Sequence, residues 1–211
     1  MVEILYEDKD IVVCIKPHGT ISEATKDPSI SLPFILMSEQ GYKNLFTVHR
    51  LDKDVSGAIV YAKNATTAAE LSKQITEGTF KKEYVAIVEG KTEDQGKLTD
   101  LLYFDRKKNK SYVVDRERRG VKRAELNYKL ISYDEVNDTS AVKIELITGR
   151  THQIRVQFAS RKHAVLGDKK YGSKSSIKPI RLYSASLSFI SPSDKTPINI
   201  TSSPDWINYL R

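Results

Sequence analysis

The sequence predicts an α+β fold built on a mixed, largely antiparallel sheet with a few helices. Three observations carry this. Short runs rich in β-branched and aromatic residues recur along the chain, helical patterning is scarce, and strands do not alternate with helices as a doubly wound parallel sheet requires. The runs cover residues 11–15, 58–62, 84–88, 126–132, 141–147 and 182–190, and each reads as a strand. One helix is well marked. Asn64 caps it, Ala68, Leu71 and Ile75 recur at helical spacing, and Gly78 terminates it. A second, short helix is expected to begin at Thr151, with Ile154 and Phe158 on one face and His152 and Arg155 on another.

Residues 90–96 and 172–179 are loop-like, and neither marks a domain boundary. There is no internal repeat and no low-complexity linker. A single domain over residues 1–211 is expected. A strand already falls within the stretch before the first motif, so no separate N-terminal RNA-binding module is expected.

Composition narrows the function classes. No apolar run approaches the roughly 20 residues of a membrane span, and the N-terminus lacks the pattern of a signal peptide, so a cytoplasmic protein without membrane contact is expected. The only cysteine, Cys14, sits in an apolar run, which excludes an intramolecular disulfide and favours a core thiol over a nucleophile. His18, His49, His152 and His163 are dispersed without ligand spacing, so no metal site is implied. Net charge is +7 and the pI about 9.3, which favours polyanionic partners. Basic side chains concentrate within residues 105–123, a stretch open to two readings: a solvated hairpin or an arm that contacts phosphates.

Two motifs carry chemistry. The first, His49-Arg-Leu-Asp-Lys-Asp-Val-Ser-Gly57, is a polar turn closed against a buried strand, which sets short polar side chains on a rigid support. A glycosidase would need a second aligned carboxylate, and Asp54, two residues from Asp52 in an extended chain, points to the opposite side. The second motif is Leu146-Ile-Thr-Gly-Arg-Thr-His-Gln-Ile-Arg-Val-Gln157, continued by Val165-Leu-Gly-Asp-Lys-Lys-Tyr-Gly172. Here Arg155 requires an anionic partner if it leaves water.

Together these motifs resemble the RluA-type family of RNA pseudouridine synthases. Ile4-Leu-Tyr-Glu-Asp8 and Lys16-Pro17 are similar to the family's opening strand pair, His49-Arg-Leu-Asp52 with Ser56-Gly57 to its signature, and Lys82-Glu-Tyr84 to its tyrosine segment. Thr148-Gly-Arg-Thr-His-Gln-Ile-Arg155, Gly167-Asp168 and Tyr171-Gly172 resemble its C-terminal motif. The resemblance implies the pseudouridine synthase catalytic fold and isomerisation of specific uridines in ribosomal or transfer RNA, without a cofactor. It assigns Asp52 as the catalytic carboxylate, Tyr84 to pack on the target base and Arg155 to pair with Asp52. His49, Arg50, Arg150, His152 and Gln153 are its substrate-binding residues. Structured RNA is the implied partner, and a monomer with no obligate protein partner is expected.

The bare chemistry agrees. Uridine isomerisation breaks the N1–C1′ bond, turns the uracil and joins C5 to C1′. Attack on the sugar, addition to the uracil ring and removal of a sugar proton are all open to a carboxylate. The chain departs from the family pattern at Val55, Gln157, Lys162 and Ala164, none of which is a catalytic group. The competing class is an RNA-binding or folding factor that keeps the scaffold, and the intact set of Asp52, Tyr84 and Arg155 argues against it.

Overall fold

The structure is a computed structural model, and it describes residues 1–206. In chain order the elements are β1 (Ile4–Glu7), β2 (Ile11–Lys16), α1 (Leu32–Gln40), β3 (Phe46–Thr47), β4 (Ser56–Ala62), α2 (Ala65–Glu77) and β5 (Lys81–Glu89). There follow β6 (Gln95–Asp105), β7 (Lys110–Val114), β8 (Val121–Asp134), β9 (Thr139–Leu146), α3 (Gln153–Ala159), β10 (Leu182–Ile190) and β11 (Pro197–Thr201). The chain gathers into two compact units. The first holds residues 1–82 and 183–204, and the second residues 83–182 with Asp205 and Trp206.

In the first unit the strand order is β1-β2-β4-β10, with β3 on β4 and β11 on β10. The β4–β10 pairing is parallel and the others antiparallel, so the sheet is mixed, as expected. Helix α2 forms where its caps predicted: the Asn64 side chain accepts the Thr67 N–H at 2.8 Å, and Gly78 ends it in the left-handed region. Its apolar face buries Leu71 among Ile11, Val13, Ala58, Val60, Leu187 and Phe189. Truncating Leu71 there to alanine costs about 2–5 kcal/mol. Cys14 is fully buried on β2, and burial pushes its thiol up to about 12, which fits a core residue.

In the second unit the order β5-β9-β8-β6-β7 is antiparallel throughout. Helix α3 contributes Val156 to a cluster with Leu102, Ala124 and Tyr171, and Phe158 meets Tyr128 edge-on. All six strand runs read from the sequence are strands here, most of them longer by a few residues.

One expectation needs correcting. The second helix begins at Gln153, not Thr151, and its N-cap is His152 in the left-handed region with φ 54°, which makes no side-chain cap bond. Residues 152–158 are all buried, with Phe158 against Tyr128 and with Arg155 and His152 against Tyr171. Five elements were not foreseen: α1, β3, β6, β7 and β11. Helix α1 carries apolar side chains around much of its circumference, from Leu32 to Met37, so it lacks the amphipathic period that marks a helix. Strand β6 begins inside the glycine-bounded stretch that reads as a loop. No helix among the described residues is long and apolar enough to cross a membrane.

Candidate active site

The first motif lies in the first unit, on the loop between β3 and β4. Its main chain is pinned from below. Lys16, at the end of β2 and 0% exposed, donates through Nζ to the carbonyls of Pro17, Lys53 and Val55 at 3.0, 3.2 and 2.8 Å. Burial pulls its pKa down to about 8, while the charges of Asp52 and Asp54 pull the other way. With all three ammonium donors engaged, Lys16 is a cation at neutral pH. Ser22 adds a second pin, donating its hydroxyl to the Leu51 carbonyl at 2.9 Å and accepting the Leu51 N–H at 3.0 Å. The Ser22 carbonyl in turn accepts the Tyr61 hydroxyl at 2.8 Å.

Gly57 closes the loop onto β4 with φ 120°, and a Cβ there would overlap the backbone of Ser184 on β10. Only glycine permits both the dihedral and this approach. His49 is buried: its Nε2 accepts the Val60 N–H at 3.2 Å, and its Nδ1 has no hydrogen-bond partner among the described residues. Burial first and the neighbouring Lys82 charge second lower its pKa to about 3, so the ring is neutral. Arg50 is exposed and pairs with Glu23 at 3.2 Å. Asp52, two residues on, is partly exposed.

The second motif lies in the second unit. Arg155 is 2% exposed, and Asp168, 1% exposed, grips it through both carboxylate oxygens at 2.6 and 2.9 Å. A bidentate pair fixes the guanidinium plane, and the Tyr171 ring lies 5.3 Å from its central carbon. The Tyr171 hydroxyl accepts the Ser111 N–H at 2.8 Å and meets His152 Nδ1 at 2.9 Å. Gln153 spends its carboxamide on the preceding turn: it accepts from the Thr148 hydroxyl and the Arg150 N–H and donates to the Glu125 carbonyl. Arg150 donates through Nε to the Arg123 carbonyl at 2.9 Å. Tyr84 is buried on β5, opposite Ile144 of β9.

His49, Arg50 and Asp52 are therefore neighbours in the first unit, and Arg150, His152, Gln153 and Arg155 in the second, which also holds Tyr84. Of the departures from the family pattern, Lys162 adopts φ 67°, the conformation glycine favours, and Gln157 is fully buried with its amide on Asp100 at 2.7 Å. Lys16 and Ser22 were not assigned roles from sequence. A lysine closing the apolar run of β2 was the available signal, since such a charge is buried only with partners. Ser22 gave none.

The sequence matches the RNA pseudouridylate synthase family over residues 10–160. It is similar to an uncharacterized RNA pseudouridine synthase of Aquifex aeolicus, 36% identical over 196 residues that cover 87% of this chain and 60% of the relative. It is also similar to the dual-specificity RNA pseudouridine synthase RluA of Yersinia pestis, 32% identical over 93% of this chain and 96% of the relative. Among solved structures, human RNA pseudouridylate synthase domain containing 1 superposes with a TM-score of 0.81 over all of this chain and 86% of its own, at 21% identity. That likeness speaks to the fold. The chain spans only 56–65% of the length of four bacterial relatives, the Aquifex protein among them.

Proposed function

The chain belongs to the RNA pseudouridylate synthase family, and from that premise we propose that it isomerises specific uridines of ribosomal or transfer RNA to pseudouridine through Asp52. The observation that carries this is the pinning of the Asp52 loop. Lys16 and Ser22 hold its main chain from the buried side, Gly57 fixes its exit, and Asp52 stays partly exposed. A carboxylate on a loop so restrained meets its substrate with little reorganisation. During the reaction the N1–C1′ bond breaks, the uracil turns, C5 joins C1′, C5 gives up its proton and the freed N1 takes one up, so atoms balance without a co-reactant.

In the same proposal Tyr84 stacks on the target base, and Arg155 keeps the Asp52 carboxylate ionised and oriented. His49, Arg50, Arg150, His152 and Gln153 serve the substrate. Structured RNA is the partner of a monomeric enzyme working in the cytoplasm without a cofactor or obligate protein partner, and the whole chain acts as one catalytic domain. The exposed bases of residues 105–123 suit the RNA backbone: Arg106, Lys107 and Lys108 form the turn of the β6–β7 hairpin, and Arg118 and Arg119 the next connection.

The experiment is incubation of the purified chain with bulk cellular RNA, followed by nucleoside mass spectrometry. Pseudouridine above the input level supports an isomerase. RNA binding without new pseudouridine would turn the assignment to an RNA-binding or folding factor.

A further inference from the structure

The short segment from Asp168 to Tyr171 makes contacts in two directions within the second unit. Toward α3, Asp168 holds Arg155 in the bidentate pair and the Tyr171 ring lies against the guanidinium. Toward the β6–β7 hairpin, three consecutive residues reach it. The Lys170 ammonium donates to the Asn109 carbonyl at 3.1 Å, the Lys110 ammonium lies 5.1 Å from the Tyr171 ring centre, and the Ser111 N–H donates to the Tyr171 hydroxyl at 2.8 Å. Ser111 also donates its own hydroxyl to the Thr151 carbonyl at 2.6 Å, next to His152. β7 is the last strand in its order, so this edge is held by the 168–171 segment rather than by another strand.

We propose that Tyr171 is a positioning residue that ties the root of the basic hairpin to Arg155 and His152, so that the seating of the hairpin on RNA sets the arginine that serves Asp52. The proposal rests on the assignment of Arg155 to the Asp52 chemistry. Its physical content is a division of labour along one hairpin. The exposed tip, Arg106, Lys107 and Lys108, offers charge to phosphates, while the root at Lys110 and Ser111 is fastened to the residue that orients the guanidinium. An aromatic face and a carboxylate fork together restrain both the tilt and the plane of a guanidinium, which neither does alone. Filling the core does not account for the hydroxyl, which joins a strand-edge N–H to an imidazole at the start of α3.

The test separates turnover from affinity. Tyr171→Phe keeps the ring and removes the hydroxyl; Tyr171→Leu removes the aromatic face as well. At saturating RNA the single-turnover rate should fall about tenfold in the first and about a hundredfold in the second, with the RNA dissociation constant within about twofold of wild type. Neutralising Arg106, Lys107 and Lys108 to glutamine should do the reverse, raising the dissociation constant and flattening its salt dependence. An unchanged rate in Tyr171→Phe, or a loss confined to affinity, overturns the proposal. If Tyr171→Leu does not fold, Lys170→Gln, an exposed change that cuts one tether, should still slow turnover about threefold. Hydrogen exchange of the Arg155 Nε–H, followed by nitrogen NMR in RNA-free protein, reads the tie without any activity. It should quicken about tenfold in Tyr171→Phe, and equal rates overturn the proposal. A wild-type protein that makes no pseudouridine removes the functional assignment and leaves the exchange rates to decide the tie.

Discussion

The two motif-bearing segments are held in opposite ways. The loop of residues 48–57 is fixed through its main chain: carbonyls of Leu51, Lys53 and Val55 are gripped by Ser22 and Lys16, and Gly57 lets the chain pass against Ser184. The segment of residues 148–172 is fixed through its side chains: the Arg155–Asp168 pair is buried, Tyr171 links it to Ser111, and Gln153 staples the turn before α3. Main-chain pinning lets side chains change with little effect on loop shape. Side-chain pinning makes the same groups serve stability and chemistry at once, so their substitution mixes the two.

The strongest way to break this contrast is Asp168→Asn. It removes the anionic partner of a buried guanidinium and should lower unfolding free energy in urea by about 3–5 kcal/mol. A loss under about 1 kcal/mol would mean the second segment does not depend on its charges. Gly57→Ala comes next, at about 2–3 kcal/mol, because a Cβ must meet the Ser184 backbone at a left-handed φ. Full stability in that variant would remove the main-chain account of the first loop. Lys16→Met should cost about 1–3 kcal/mol by stripping donors from carbonyls packed around a buried position. Its counterpart check is turnover, which should fall while the Arg155 Nε–H exchange in the second unit stays as in wild type.

Titration of His49 sharpens the comparison through pH. The folded pKa of His49, about 3, lies below its unfolded value near 6.5, so across that window the unfolded chain binds a proton that the folded chain does not. Stability therefore falls as pH drops from about 6.5 toward 3, by at most about 1.4 kcal/mol per pH unit from this group. Urea unfolding of His49→Gln should show a shallower decline over the same range, and an identical decline would place the acid sensitivity elsewhere.

How much of this was legible in the sequence follows from the same contrast. Strand runs such as residues 58–62 declare themselves through local apolar pattern, and α2 through Asn64 and Gly78, because period and caps are local properties. The short α3 was misplaced because His152 starts it without a cap bond, a conformation settled by burial and by Tyr171 rather than by local preference. The motifs named Asp168 and Tyr171, yet the pairing of Asp168 with Arg155 is tertiary and has no signature in spacing. Lys16 was visible as a residue and silent as a pin, since its three acceptors come from a loop about 37 positions away as well as from its neighbour.

The central claim is that Asp52 performs the chemistry. The most direct measurement is single-turnover pseudouridine formation by Asp52→Asn on RNA that the wild-type enzyme modifies, read by nucleoside mass spectrometry alongside thermal unfolding and RNA affinity. The amide keeps the volume of the side chain and loses its anionic oxygen, so product should stay at background while folding and the dissociation constant remain within about twofold of wild type. Turnover beyond a trace in a folded, RNA-binding Asp52→Asn protein would contradict the claim.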